Sequence, residues 1–180
     1  MRILIVLYLL LIGVLCLLAQ MVLPAHFHFL SVIGFGSALI PLVVIYASLE
    51  LGDERAPILA GLLGLMLDLT SSHRLGVSVL ILGLLSALIV TQAQRQESHQ
   101  WFFRFAFVLI GTFAYLLLDY LFTLGETARW HWPLDVWSKI TFASLLNLAL
   151  SPFFFAAVGL PPRWCGWRPD HELTDRFYAD

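Results

Sequence analysis

The sequence predicts an all-α polytopic membrane protein, a six-helix transmembrane bundle, and three observations carry that prediction. The chain is 60% hydrophobic and 12% charged over 180 residues, with mean hydropathy +0.87. Soluble domains run at about 45–50% apolar and about 25% charged, so this excess does not fit inside one soluble core of this size. Six apolar segments come near the length a bilayer crossing needs, roughly 17–25 residues. The third observation is charge placement. With six crossings Arg2, Arg55, Arg95, Arg104, Arg163, Arg168 and Arg176 fall on one side, and Arg74, Arg129 and Lys139 on the other. Cytoplasmic loops are enriched in Lys and Arg, so both ends are expected in the cytoplasm.

The first expected span is 3–23. It resembles a signal peptide, but its apolar run is long for one, and Leu17 spoils a small-x-small cleavage site ending at Ala19. Bulky Leu15 before Cys16 argues against a lipoprotein signal. The second span is 29–49. The third, 55–70, is short and holds Pro57 in its first turn, where proline is tolerated; local thinning of the bilayer accommodates a short span. The remaining spans are 75–91, 102–124 and 136–160. Residues 1–160 then form one membrane bundle, and the polar residues 161–180 a short cytoplasmic tail. Trp101, Trp164 and Trp167 mark one interface, and Trp130, Trp132 and Trp137 the other. A loop over 125–137 is expected to lie in that second interface.

Few residues are equipped for chemistry. Asp68 and Asp119 come out at similar depth near the outer leaflet, where an ionised carboxylate costs less than the roughly 2.5–3.5 kcal/mol it costs at a helix centre. Each either forms an interior polar site or partner contact, or caps a neighbouring helix end. An aspartyl intramembrane protease needs two such carboxylates, but neither signature of that class surrounds them here. Thr141, Ser144, Asn147 and Ser151 stand three, three and four apart in the last span, an interior-facing stripe suited to interhelical hydrogen bonds. Pro152 follows it and is expected to kink that helix. Ala60 and Gly64, Gly34 and Ala38, and Gly83 and Ala87 are small-xxx-small steps that let helices approach closely. His26 and His28 lack further ligands nearby, and Cys16 and Cys165 suggest no disulfide framework. No phosphate loop, nucleophile elbow or zinc-protease motif occurs. No catalytic residue, cofactor or metal is expected, and a net charge of −2 gives no reason to invoke nucleic acid.

One stretch carries more. Residues 58–80 read ILAGLLGLMLDLTSSHRLGVSVL: a glycine-studded helix, a Leu-Asp-Leu step, a serine-containing turn and a leucine-glycine pair. This resembles the central signature of the rod shape-determining protein MreD family, on Gly61, Gly64, Asp68, Leu69, Ser71, Leu75 and Gly76. Residues 41–56, opening on Pro41, resemble that family's second helix. Leu42 stands where the family often has Asp, and Ser72 and His73 where a glycine is frequent. The resemblance implies a non-enzymatic scaffold in the inner membrane of a bacterium. It would belong to the cell-elongation (rod) complex and support cell shape and lateral peptidoglycan synthesis. The implied partners are an MreC-like single-span protein, an MreB-like filament and the wall-synthesis polymerase and transpeptidase, with membrane lipid around the helices and no small-molecule substrate. A bundle of this size is also similar to the substrate-capture subunits of energy-coupling-factor transporters. That alternative calls for an outer pocket, which Asp68, Asp119, Trp130 and Trp132 would begin.

Overall fold

A computed structural model describes residues 2–26, 39–70, 76–95, 101–127 and 134–164. They form six α-helices: α1 (Arg2–His26), α2 (Leu39–Leu51), α3 (Arg55–Thr70), α4 (Val77–Arg95), α5 (Trp101–Thr127) and α6 (Leu134–Trp164). Three hold stretches long and apolar enough to cross a membrane: Leu4–Val22, Phe103–Leu124 and Val136–Gly159. Leu39–Leu51 and Val77–Ala93 are shorter apolar helices. At 1.5 Å per residue, the 16-residue α3 is about 24 Å long, slightly less than a typical hydrocarbon core of about 30 Å.

α2 is the axis of the bundle. Every residue from Ile40 to Ser48 is buried, and the helix touches all five others. Its sequence is apolar all round, as a helix enclosed on every side requires. Tyr46 stacks edge-on against Phe154 and lies 5.1 Å, centroid to centroid, from Phe155 of α6. Ser48 donates to the Val44 carbonyl at 2.7 Å, which uses its only hydrogen, so the buried Ser86 of α4 donates to Ser48 at 2.7 Å. α1 closes one flank, with Gly13 giving room to the Leu63 side chain.

The outward faces are apolar too. Leu4, Leu7, Leu11, Leu15, Leu18 and Val22 are exposed along α1, and Ile58, Leu62, Leu65 and Leu69 along α3. Soluble proteins rarely expose contiguous apolar patches beyond a few hundred Å²; lipid is the solvent that makes such a surface stable.

The turns between helices follow local rules. Gly52, at φ +60°, ends α2 in the left-handed region and donates its N–H to the Ser48 carbonyl. Asp53 then caps α3 by accepting from the Arg55 N–H at 3.0 Å. The Tyr8 hydroxyl of α1 reaches the Val158 carbonyl of α6, which brings the first and last helices together at one end of the bundle.

The structure differs from the sequence reading in several places. α5 continues to Thr127 and α6 begins at Leu134, so the expected loop over 125–137 keeps only 128–133, outside the described residues. Backbone in or near lipid must satisfy its own polar groups, and continuing the helix does that. α6 also continues past residue 160, through Pro161 and Pro162, to Trp164. Pro152, where a kink is expected, lies within this continuous helix: it leaves the Leu148 carbonyl without its N–H donor, and the Ser151 hydroxyl donates to it instead at 2.8 Å. Ser144, Asn147 and Ser151 point inward as the stripe requires, but Thr141 is exposed at its edge. Residues 29–38 of the second expected span, with Gly34 and Ala38, and most of the tail lie outside the described residues.

Candidate functional site

The signature residues meet in the α3–α4 hairpin. α4 begins at Val77 with Gly76 in the N-cap position, its carbonyl accepting the first helical bond from the Leu80 N–H at 3.0 Å. Helices usually cap themselves here with a Ser, Thr, Asp or Asn side chain. Gly76 has none, and its φ of +102° suits only glycine well. Asp68, from the end of the preceding helix, supplies the cap. The Gly76 N–H donates to Asp68 Oδ2 at 2.7 Å, and the Ser78 N–H to Oδ1 at 3.1 Å. Both carboxylate oxygens are thus engaged by the start of α4, where the helix dipole also favours negative charge. Asp68 is 2% exposed. Asp68 thus accepts from the start of α4 as a cap does, from inside the bundle.

One turn before Asp68, Gly64 lets the two helices touch backbone to backbone. A Cβ built on it would stand 2.8 Å from the Ser78 carbonyl oxygen and from Val79 N and Cα. Gly61 is looser, with only the tip of Val79 4.0 Å away, and Gly83 has nothing within 4 Å. Of the three, close approach requires glycine at Gly64 alone. Ala60, four residues before it, is fully buried. Pro41 is buried in the first described turn of α2. Leu75 and Ser71 lie outside the described residues.

A polar group that sequence spacing allows but no motif marks lies beside the hairpin. Thr112, Tyr115 and Asp119 stand three and four apart on α5, hence on one face. Tyr115 is buried, as is Ser78 of α4, and the Ser78 side chain, Asp68 and Asp119 are all near enough to its hydroxyl to act on it electrostatically. One turn lower, Asn147 Nδ2 of α6 donates to Thr112 Oγ1 at 3.3 Å, both residues being fully buried. The two aspartates therefore share a neighbourhood through Tyr115, and Asn147 belongs to an α5–α6 contact below it. Gln20 of α1 is also buried, and its side-chain oxygen has no hydrogen-bond partner among the described residues. Trp130 and Trp132 lie outside them. Among the described residues no group of three His, Cys, Asp or Glu side chains is placed to hold a metal ion.

At the opposite end Arg104 Nη1 lies 3.5 Å from Glu50 Oε1. Glu50 sits in the last turn of α2 and Arg104 in the first turn of α5, each at the unfavourable end of its own helix dipole. Pairing offsets that, and no sequence rule links positions so far apart. Arg104→Met leaves the buried Glu50 carboxylate without its cation. Removing one partner of a buried pair costs about 3–5 kcal/mol; with the Arg104 side chain 26% exposed, solvent screening brings the expected loss to about 2 kcal/mol. The double variant Glu50→Gln/Arg104→Met is expected to recover most of it, read by unfolding in mixed micelles.

No curated protein and no solved structure matches the chain. A family model described as rod shape-determining protein MreD matches residues 1–159. That match spans all six helices up to the last turns of α6, and it includes the central helix and the capped hairpin. The chain therefore belongs to the rod shape-determining protein MreD family, and is a non-enzymatic, multi-pass membrane protein with a role in determining rod shape.

Proposed function

We propose that the chain is an inner-membrane scaffold of the bacterial elongation complex that holds an MreC-like single-span protein against its lipid-facing helices. Both ends lie in the cytoplasm, and the residues beyond α6 form a tail on that side. The family match over residues 1–159 carries the reading. The geometry supports a division of labour within it. The signature carboxylate faces inward with both oxygens held by backbone N–H groups, and the central helix is enclosed. What remains for a partner is the set of outward apolar faces, such as Leu80, Leu84 and Leu88 of α4. Helix association in lipid proceeds by close packing of such faces.

Co-expression of the tagged chain with an MreC-like protein, followed by detergent extraction and affinity capture, tests the proposal. Recovery of the partner well above that of an unrelated single-span protein is expected. Background recovery from a monodisperse, folded preparation sinks it. A reporter fused after Asp180 tests the orientation separately and is expected to read cytoplasmic.

A further inference from the structure

α6 is 31 residues long and crosses three prolines, Pro152, Pro161 and Pro162. Each removes one N–H from the helical ladder and leaves the carbonyl four residues earlier without its donor. In hydrocarbon such a carbonyl is costly unless another group serves it. The adjacent Pro161 and Pro162 make one break, which orphans the Ala157 and Val158 carbonyls, so α6 has two breaks, and Leu148 and Val158 are served differently. At Pro152 the orphan is Leu148, and the repair is local: Ser151 of the same helix donates to it at 2.8 Å. At Pro162 the orphan is Val158, and the donor comes from another helix. The Tyr8 hydroxyl of α1 donates to the Val158 carbonyl at 3.2 Å, across 150 residues of sequence. The same turn receives a second phenol. A Cβ on Gly159 would stand 3.2 Å from the Tyr46 hydroxyl, so glycine there makes room for the hydroxyl of the central helix. Val158 and Gly159 are both buried.

We infer that Tyr8 is a positioning residue that splices the proline break at Val158 and thereby fastens the last turn of α6 to α1. The first break is self-contained, since its donor is on α6 itself. The second makes the helix end conditional on α1. When Tyr8 withdraws, the Val158 carbonyl loses its hydroxyl donor and the turn leading to Trp164 has no ladder bond at that point to hold it. The end of α6 is therefore oriented by the first helix, and movement of α1 is transmitted to it. This goes beyond the scaffold proposal and does not depend on any partner.

Hydrogen–deuterium exchange of the full chain in detergent micelles tests it. The reporting amides are Gly159, Leu160, Arg163 and Trp164, since the two prolines carry none. Tyr8→Phe keeps the ring and removes the donor. It is expected to speed exchange of these amides about fivefold, the effect of one typical net hydrogen bond, with the α3–α4 hairpin unchanged. Pro162→Ala restores an N–H to the Val158 carbonyl, and in that background Tyr8→Phe is expected to change nothing. Unchanged exchange in Tyr8→Phe alone overturns the inference. So does an equal effect in both backgrounds, because Tyr8 then acts by packing rather than by serving the proline break.

Discussion

Gly64→Val is expected to unfold the α3–α4 hairpin, and even Gly64→Ala to cost about 3 kcal/mol or more. Overpacking a core typically costs about 1–3 kcal/mol because neighbouring side chains shift to make room. Here the neighbours are the Ser78 carbonyl and the Val79 backbone, each 2.8 Å from the new Cβ. Backbone in the first turn of a helix does not rotate away, so α4 must move as a body. That movement also pulls the Gly76 and Ser78 N–H groups off Asp68. Gly83→Ala on α4 is the matched control. Nothing lies within 4 Å of its Cβ position, and replacing a helical glycine gains up to about 1 kcal/mol. Gly61→Ala meets only ordinary contact with Val79 at 4.0 Å and is expected to be nearly neutral. The order of unfolding midpoints in mixed micelles checks all three. Equal stability of Gly64→Ala and Gly83→Ala would show that the helices are not in backbone contact.

Those three glycines mark the boundary of what the sequence discloses. The helical, membrane-embedded class was legible because lipid allows few other folds, and 60% apolar composition leaves no other solvent. Which face of each helix turns inward was not. In water an inward stripe contrasts with a polar outer face, but in a bilayer both are apolar, so Leu63, buried, and Leu62, exposed, look alike in the sequence. The enclosure of α2 was hidden for the same reason. Polar residues were the better guide. The α6 stripe pointed inward at Ser144, Asn147 and Ser151, and Asp68 stood out by its position at a helix end. Its partners did not, because a cap between neighbouring helices depends on how the intervening turn folds back. The continuation of α6 beyond residue 160 was illegible on other grounds. Two successive prolines read as a stop, and the hydroxyl that serves the Val158 carbonyl lies at the other end of the chain.

Asp68→Ala should cost about 4 kcal/mol, and Asp68→Asn about half of that. Hydrogen bonds to a charged group are worth about 1.5–3 kcal/mol each, and Asp68 accepts two from backbone N–H groups at 2.7 and 3.1 Å. Alanine removes both acceptors and leaves two donors facing a buried site, with Gly76 unable to cap the helix in their place. Asparagine keeps the shape and one acceptor oxygen, but its amide NH₂ confronts the second N–H donor, and the charge that complements the helix dipole is gone. The graded order wild type, Asn, Ala in unfolding midpoint is therefore the signature of a cap. A partner contact predicts another pattern: both substitutions leave the isolated chain stable and abolish capture of the MreC-like protein. The two accounts separate cleanly in Asp68→Asn held at low temperature, where the weakened chain is still folded. A cap leaves partner capture near the wild-type level there, and loss of rod shape on warming follows loss of fold. Normal stability with no capture would move Asp68 from the hairpin to the interface, and would mean that the carboxylate leaves its two N–H donors when the partner arrives.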